Sequence, residues 1–178
     1  MSLVLHTQEY SPFINRPEGE GLLEADYKLE EHVTEAQKPI GVLWTAKLKP
    51  APEFSDWFEL CQTSLHLRGR YRPNRGYVYD DSNISYLGIY TEADLSKLEP
   101  FMRDGALDHH SIAREYDGFY LGKDMLKHPL FLTERDGWDV ESQAIYNPRK
   151  LSFIATILLK DETGTTADQV DELLATAL

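Results

Sequence analysis

Pro39-Ile40-Gly41-Val42-Leu43-Trp44-Thr45-Ala46-Lys47-Leu48-Lys49-Pro50 is an apolar run closed at each end by proline. A short run of this kind, bounded by residues that cannot extend a ladder, reads as a buried strand. Pro50 and Pro52 then force a turn, and Ser55 or Asp56 stands where a helix needs its N-cap. From there Phe54, Trp57, Phe58, Leu60, Cys61, Leu65 and Leu67 recur at near-helical spacing up to Gly69, so a core helix follows the strand.

Downstream the pattern continues. Residues 70–80 are strand-like with an interruption at Pro73-Asn74-Arg75-Gly76, and residues 84–91 form a second strand rich in Tyr and Ile after the turn Asp81-Ser82-Asn83. Thr91 caps a further helix with Glu92 and Asp94 in its first turn, where carboxylates meet the positive end of the dipole; Leu95, Leu98, Phe101 and Met102 are its apolar face. Residues 104–140 are less regular, with a short helix at 111–116 and no assignable pattern at 118–129. Residues 143–147 and 151–159 read as strands separated by Pro148, and 166–178 as a helix capped by Thr166. Strand, helix, strand, strand, helix, strand is an α+β order, that of a ferredoxin-like antiparallel sheet backed by helices. Residues 153–178 repeat the strand, polar turn and capped helix of 40–65, either as the start of a second repeat from about 151 or by coincidence.

Upstream, Pro12, Pro17, Gly19 and Gly21 punctuate an acidic stretch running from Glu18 to Glu35, with Leu22, Leu23, Tyr27 and Leu29 marking one amphipathic helix. Residues 1–38 therefore read as an N-terminal arm on a domain spanning 39–178. The chain of 178 residues carries 18 Lys and Arg against 30 Asp and Glu, a net charge of −12 that excludes a basic nucleic-acid coat. Cys61 is the sole cysteine, so no intrachain disulfide and no multi-cysteine zinc site can form, and a reducing, cytoplasmic setting is expected. The first nine residues lack the charged and apolar regions of a signal peptide. The longest apolar run, 153–159, falls far short of the roughly 18 residues needed to cross a bilayer. Neither a membrane nor a nucleic acid is expected as a partner.

Phe54-Ser55-Asp56-Trp57-Phe58 at a helix start, Arg70-Tyr71-Arg72 after it, and Ser85-Tyr86-Leu87-Gly88-Ile89-Tyr90 beyond resemble, in that order, the motifs of the EthD-like branch of the dimeric α/β-barrel proteins. The likeness covers residues 40–147. It implies a pocket between sheet and helices, a homodimer formed by sheet-to-sheet packing, and cofactor-free chemistry: cyclases, dehydratases, decarboxylases and small monooxygenases acting on aromatic or polyketide-like compounds. Where the family carries an acid–histidine pair in the first helix, this chain has Cys61 and Gln62.

Cofactor-independent acid–base chemistry on an enolisable or phenolic compound needs a group that titrates near neutrality and a donor for the developing oxyanion. His66, His109 and His110 are the histidines beside core elements and the candidate proton carriers; a partly exposed helix end is the plainer assignment for His66, and the surface for the other two. Being adjacent, His109 and His110 diverge by about 100° on a helix, so one site can use only one of them. No metal is expected, because no H-x-D, H-x-E or H-E-x-x-H spacing occurs. On strand 84–90, Ile84, Tyr86, Gly88 and Tyr90 share one face, two phenols beside a glycine with room for a flat ligand. With Trp44 of the first strand they are candidate substrate contacts, although aromatics at strand spacing are more commonly plain core. Arg68, Arg70 and Arg72 lie two apart and with Arg75, Tyr71, Tyr77 and Tyr79 make the one basic, aromatic patch; Arg70 or Arg72 would hold an anionic substituent. No dinucleotide fingerprint and no G-x-S-x-G elbow is present.

The expected function is thus a cofactor-independent lyase or isomerase of secondary metabolism acting on a small hydrophobic, aromatic or polyketide-derived compound. The rival is a non-catalytic ligand-binding or dimerisation module of the same fold, and a third reading is an acidic interaction protein.

Overall fold

The computed structural model describes residues 2–8, 29–30, 37–50, 52–64, 75–132, 138–159 and 165–177. Helices and mostly antiparallel strands make it an α+β protein. Two compact units can be separated, one drawn from Met1–Leu23, Thr45–Asn83 and Leu151–Leu178, the other from Glu24–Trp44 and Ile84–Lys150. Residues 39–178, read from sequence as one domain, contribute to both.

In the first unit, β1 (Leu3–Gln8), β2 (Leu43–Lys47), β3 (Arg75–Asp80) and β9 (Ser152–Leu158) lie in the order β2-β1-β3-β9, each antiparallel to its neighbour. Because β2 and β3 both oppose β1, they run parallel to each other with β1 between them, and α1 (Asp56–Thr63) lies in their connection: a split strand–helix–strand unit. β1 belongs to the segment read as an arm, yet it is an inner strand. Leu3 and Leu5 pack with Val78 and Ile157 against Phe54, Phe58 and Val170, whereas Val4 packs with Tyr77 and Tyr79 on the opposite face. A strand buried on both faces shows a continuous apolar run in place of alternation.

Local chemistry explains where the helices start. Ser55 Oγ accepts the Phe58 N–H at 3.1 Å, capping α1, and Lys49 reaches the Asp56 carboxylate at 2.5 Å. That carboxylate raises the Lys49 pKa by hydrogen bonding and charge, against a lowering by burial. Ser64 is already extended, so α1 stops at Thr63, short of the expected Gly69; Leu65 and Leu67 lie outside the described residues. α3 (Thr165–Ala177) closes the unit, contributing Val170 to the core.

The second unit holds β4 (Tyr86–Ile89), β7 (Gly118–Leu121) and β8 (Ser142–Ile145) in the order β4-β7-β8, with β4 parallel to β7 and β7 antiparallel to β8. Thr91 opens the expected helix, which is a 3-10 helix, Glu92–Phe101, with Pro100 in its last turn. The strands β5 (Met102–Arg103) and β6 (Ala106–Leu107) then form a hairpin whose turn, Asp104-Gly105, has φ of 52° and 81°, the left-handed pair that a tight hairpin needs. α2 (His109–Glu115) follows. Leu87, Ile89, Phe119, Leu121 and Ala144 of the sheet pack with Phe101, Ile112, Met125, Phe131 and Trp138 to make the core. No helix among the described residues is long and apolar enough to cross a membrane.

Candidate functional site

Alternation on β4 buries Leu87 and Ile89 and leaves Tyr86, Gly88 and, just past the strand, Tyr90 on the other face. The parallel register sets Tyr86 beside Gly118 and Gly88 beside Tyr120, so glycines and phenols alternate across the two strands. Each glycine serves a ring. A Cβ at Gly88 would come within 2.5 Å of the Tyr90 ring, and one at Gly118 within 2.9 Å of the Tyr86 ring. The room that the sequence promised beside Gly88 is therefore occupied by Tyr90 itself. Tyr90 and Tyr120 lie with centroids 5.0 Å apart and planes 33° from parallel, and Tyr86 meets Tyr120 edge to face at 6.1 Å. The Tyr120 hydroxyl donates to the Glu141 carboxylate. Tyr90 is 51% exposed.

The sequence reading missed Tyr120 and Glu141. The only signal for Tyr120 was an apolar tetrad, Gly118-Phe119-Tyr120-Leu121, whose flanking glycines resemble loop punctuation.

Of the candidate histidines, His66 lies outside the described residues, as do Arg70 and Arg72. His109 and His110 open α2 and diverge as helical spacing requires: His110 is exposed, and His109 is buried at 2%. His109 meets two groups. Its Nε2 is 2.8 Å from the Gln37 carbonyl oxygen, which can only accept, so the proton is on Nε2. Nδ1 then accepts from the Tyr146 hydroxyl at 2.5 Å. Burial, the largest influence, pulls the His109 pKa down to about 4, and burial pushes the Tyr146 phenol well above its ordinary range. The imidazole is neutral at pH 7 and both ring nitrogens are engaged.

Gln37 completes the arrangement. Its side-chain oxygen accepts the Leu107 N–H at 2.7 Å, and its backbone sits at φ 60°, a left-handed conformation uncommon for glutamine. Asp108 caps α2, accepting from the Ser111 N–H and hydroxyl at 3.0 and 2.7 Å and pairing with Arg103 at 2.9 Å. Those Ser111 hydrogen bonds hold its carboxyl below the usual range. The group pins residue 37, the β5–β6 hairpin, α2 and the end of β8 together.

Trp44, the remaining predicted contact, packs edge to face on buried Trp138 at 5.0 Å, with the Lys38 ammonium 5.9 Å from its ring. Tyr77 and Tyr79, expected beside the arginines, are buried at 7% and 4% with Val4. Among the described residues no three His, Cys, Asp or Glu side chains gather as a metal-binding group. Comparison with protein-family models, with curated proteins and with solved structures finds no match to this chain.

Proposed function

We propose that the protein is a non-catalytic binding module for a small aromatic molecule, which stacks on Tyr90 at the phenol-and-glycine face of β4 and β7. The observation that carries this reading is the half-exposed Tyr90 ring, backed by Tyr120 and lying over Gly88. A large ring held open to water by its neighbours offers stacking area without a further ordering cost. Tyr90→Ala should weaken binding of phenols and indoles about tenfold, read by saturation-transfer NMR, since a ring–ring contact with its buried area is worth on the order of 1 kcal/mol. Equal signals from wild type and variant across the panel would overturn it.

The second reading is the cofactor-independent acid–base enzyme, of cyclase, dehydratase or decarboxylase type, on a dimeric ferredoxin-like scaffold. The contact of the Tyr146 hydroxyl with His109 Nδ1 favours it, and so does the split strand–helix–strand unit. A substrate would reach Nδ1 only by taking the position of the Tyr146 hydroxyl, because the other ring nitrogen is bonded to the Gln37 carbonyl. On this reading His109→Gln loses turnover of phenolic or polyketide acids, and the protein sediments as a dimer. Retained turnover or a monomer mass would remove it.

A further inference from the structure

We infer that the phenol face takes an organic cation, a quaternary ammonium or protonated amine, held by the exposed ring of Tyr90 and by the Glu141 carboxylate. The inference rests on the reading of that face as a ligand site and adds the charge of the ligand.

Four acidic groups of the second unit are paired with bases. Asp94 pairs with Lys97 at 2.7 Å, Asp108 with Arg103 at 2.9 Å, Asp117 with Lys150 at 2.8 Å and Asp139 with Lys38 at 3.8 Å. Glu141, half-buried like the first two, has no basic side chain against it among the described residues; its partner is a phenol. A partly desolvated carboxylate whose only contact is a neutral donor keeps most of its negative potential for a third group. The rings add to it. The faces of aromatic side chains carry negative electrostatic potential, so Tyr90, the most exposed of the three rings, presents the same sign as Glu141 to a ligand over it. The Tyr120 hydroxyl, by donating to the carboxylate, places that charge at the edge of the ring cluster.

Lys97, among the described residues, is engaged elsewhere. It is held by Asp94 and reaches only the Gly88 carbonyl, at 3.5 Å. Anions and neutral aromatics without a donor gain nothing from Glu141, whereas an ammonium with apolar substituents gains from both the carboxylate and the rings. A hydrated inorganic cation uses the rings poorly, so an organic one fits the site better.

The probes are phenyltrimethylammonium and its uncharged counterpart tert-butylbenzene, titrated by NMR into wild type, Glu141→Gln and Tyr90→Ala at constant ionic strength. Glutamine keeps an oxygen for the Tyr120 hydroxyl and removes only the charge. The cation should bind wild type roughly tenfold tighter than the neutral probe, Glu141→Gln should erase that advantage, and Tyr90→Ala should weaken both probes. Equal affinity of the two probes for wild type, with both weakened by Tyr90→Ala, overturns the cation and leaves the aromatic site standing. Binding of neither probe, or binding untouched by Tyr90→Ala, overturns both.

Discussion

Between pH 6.5 and pH 4 the folded state should lose about 3 kcal/mol of stability through His109 alone. The unfolded chain binds a proton at this imidazole near pH 6.5, whereas burial holds the folded one down to about pH 4. The sign follows from linkage. A depressed folded pKa means that the contribution is fully present above pH 6.5 and is lost as pH falls through the interval, because the unfolded state takes up the proton first. Protonation also turns Nδ1 from an acceptor into a donor, so the Tyr146 hydroxyl loses its acceptor at that nitrogen. Asp108 below His109 in sequence raises its pKa and His110 lowers it, both less than burial does. The carboxylates with depressed values, Asp80, Asp94, Asp108 and Asp117, begin to lose their own contribution only below about pH 5, as their unfolded forms protonate, and they do so in wild type and in a His109 variant alike. Urea unfolding of wild type and His109→Gln, followed by tryptophan fluorescence at pH 7 and pH 4.5, checks it. Glutamine can donate to the Gln37 carbonyl and accept from Tyr146 without titrating, so the variant should lose much less stability than wild type between the two pH values. Parallel pH curves for the two proteins would sink the assignment.

That triad could not be read from the sequence, and the reason is geometric. Gln37, His109 and Tyr146 lie 72 and 37 positions apart, and no local spacing encodes their meeting. What the sequence did encode is local: the Ser55 cap, the Thr91 helix start, and the alternation that puts Tyr86, Gly88 and Tyr90 on one face of β4. Failures came where burial on both faces erased alternation. β1 sends apolar side chains both ways, whereas β7 is a four-residue strand between Gly118 and Gly122 whose glycines mimic a loop, so Tyr120 had no strand to stand on. The glycine at 88 reads as room for a flat ligand, and the group beside it is the chain's own tyrosine two residues later. Room and its occupant look the same in sequence.

Asp117 is the second position where one substitution should have a large effect, and the cause is its backbone clients more than its ion pair. The residue is 7% exposed at the start of β7. Its carboxylate accepts the Ser85 N–H at 3.1 Å, the Ser85 hydroxyl at 2.7 Å and the Lys150 ammonium at 2.8 Å. Its own N–H donates to the Ser85 carbonyl, and its carbonyl accepts from the Tyr146 and Asn147 N–H groups. One residue thus fixes the approach to β4, the start of β7 and the exit of β8, the strands that carry the phenol face. Burial raises the carboxyl pKa, but Lys150 and Ser85 outweigh it and hold the pKa below the ordinary value. Asp117→Ala removes the acceptor of the Ser85 N–H and hydroxyl and of the Lys150 ammonium at a carboxylate that is itself buried, at a cost of about 2 kcal/mol. Asp117→Asn keeps an acceptor for Ser85 and should cost less. Lys150→Met removes only the ammonium, whose side chain is 49% exposed, and should cost no more than about 1 kcal/mol. The order Ala, Asn, then Lys150→Met in urea unfolding at pH 7 is the expected result. If Lys150→Met destabilised as much as Asp117→Ala, the ion pair and not the strand anchoring would be the source of the effect.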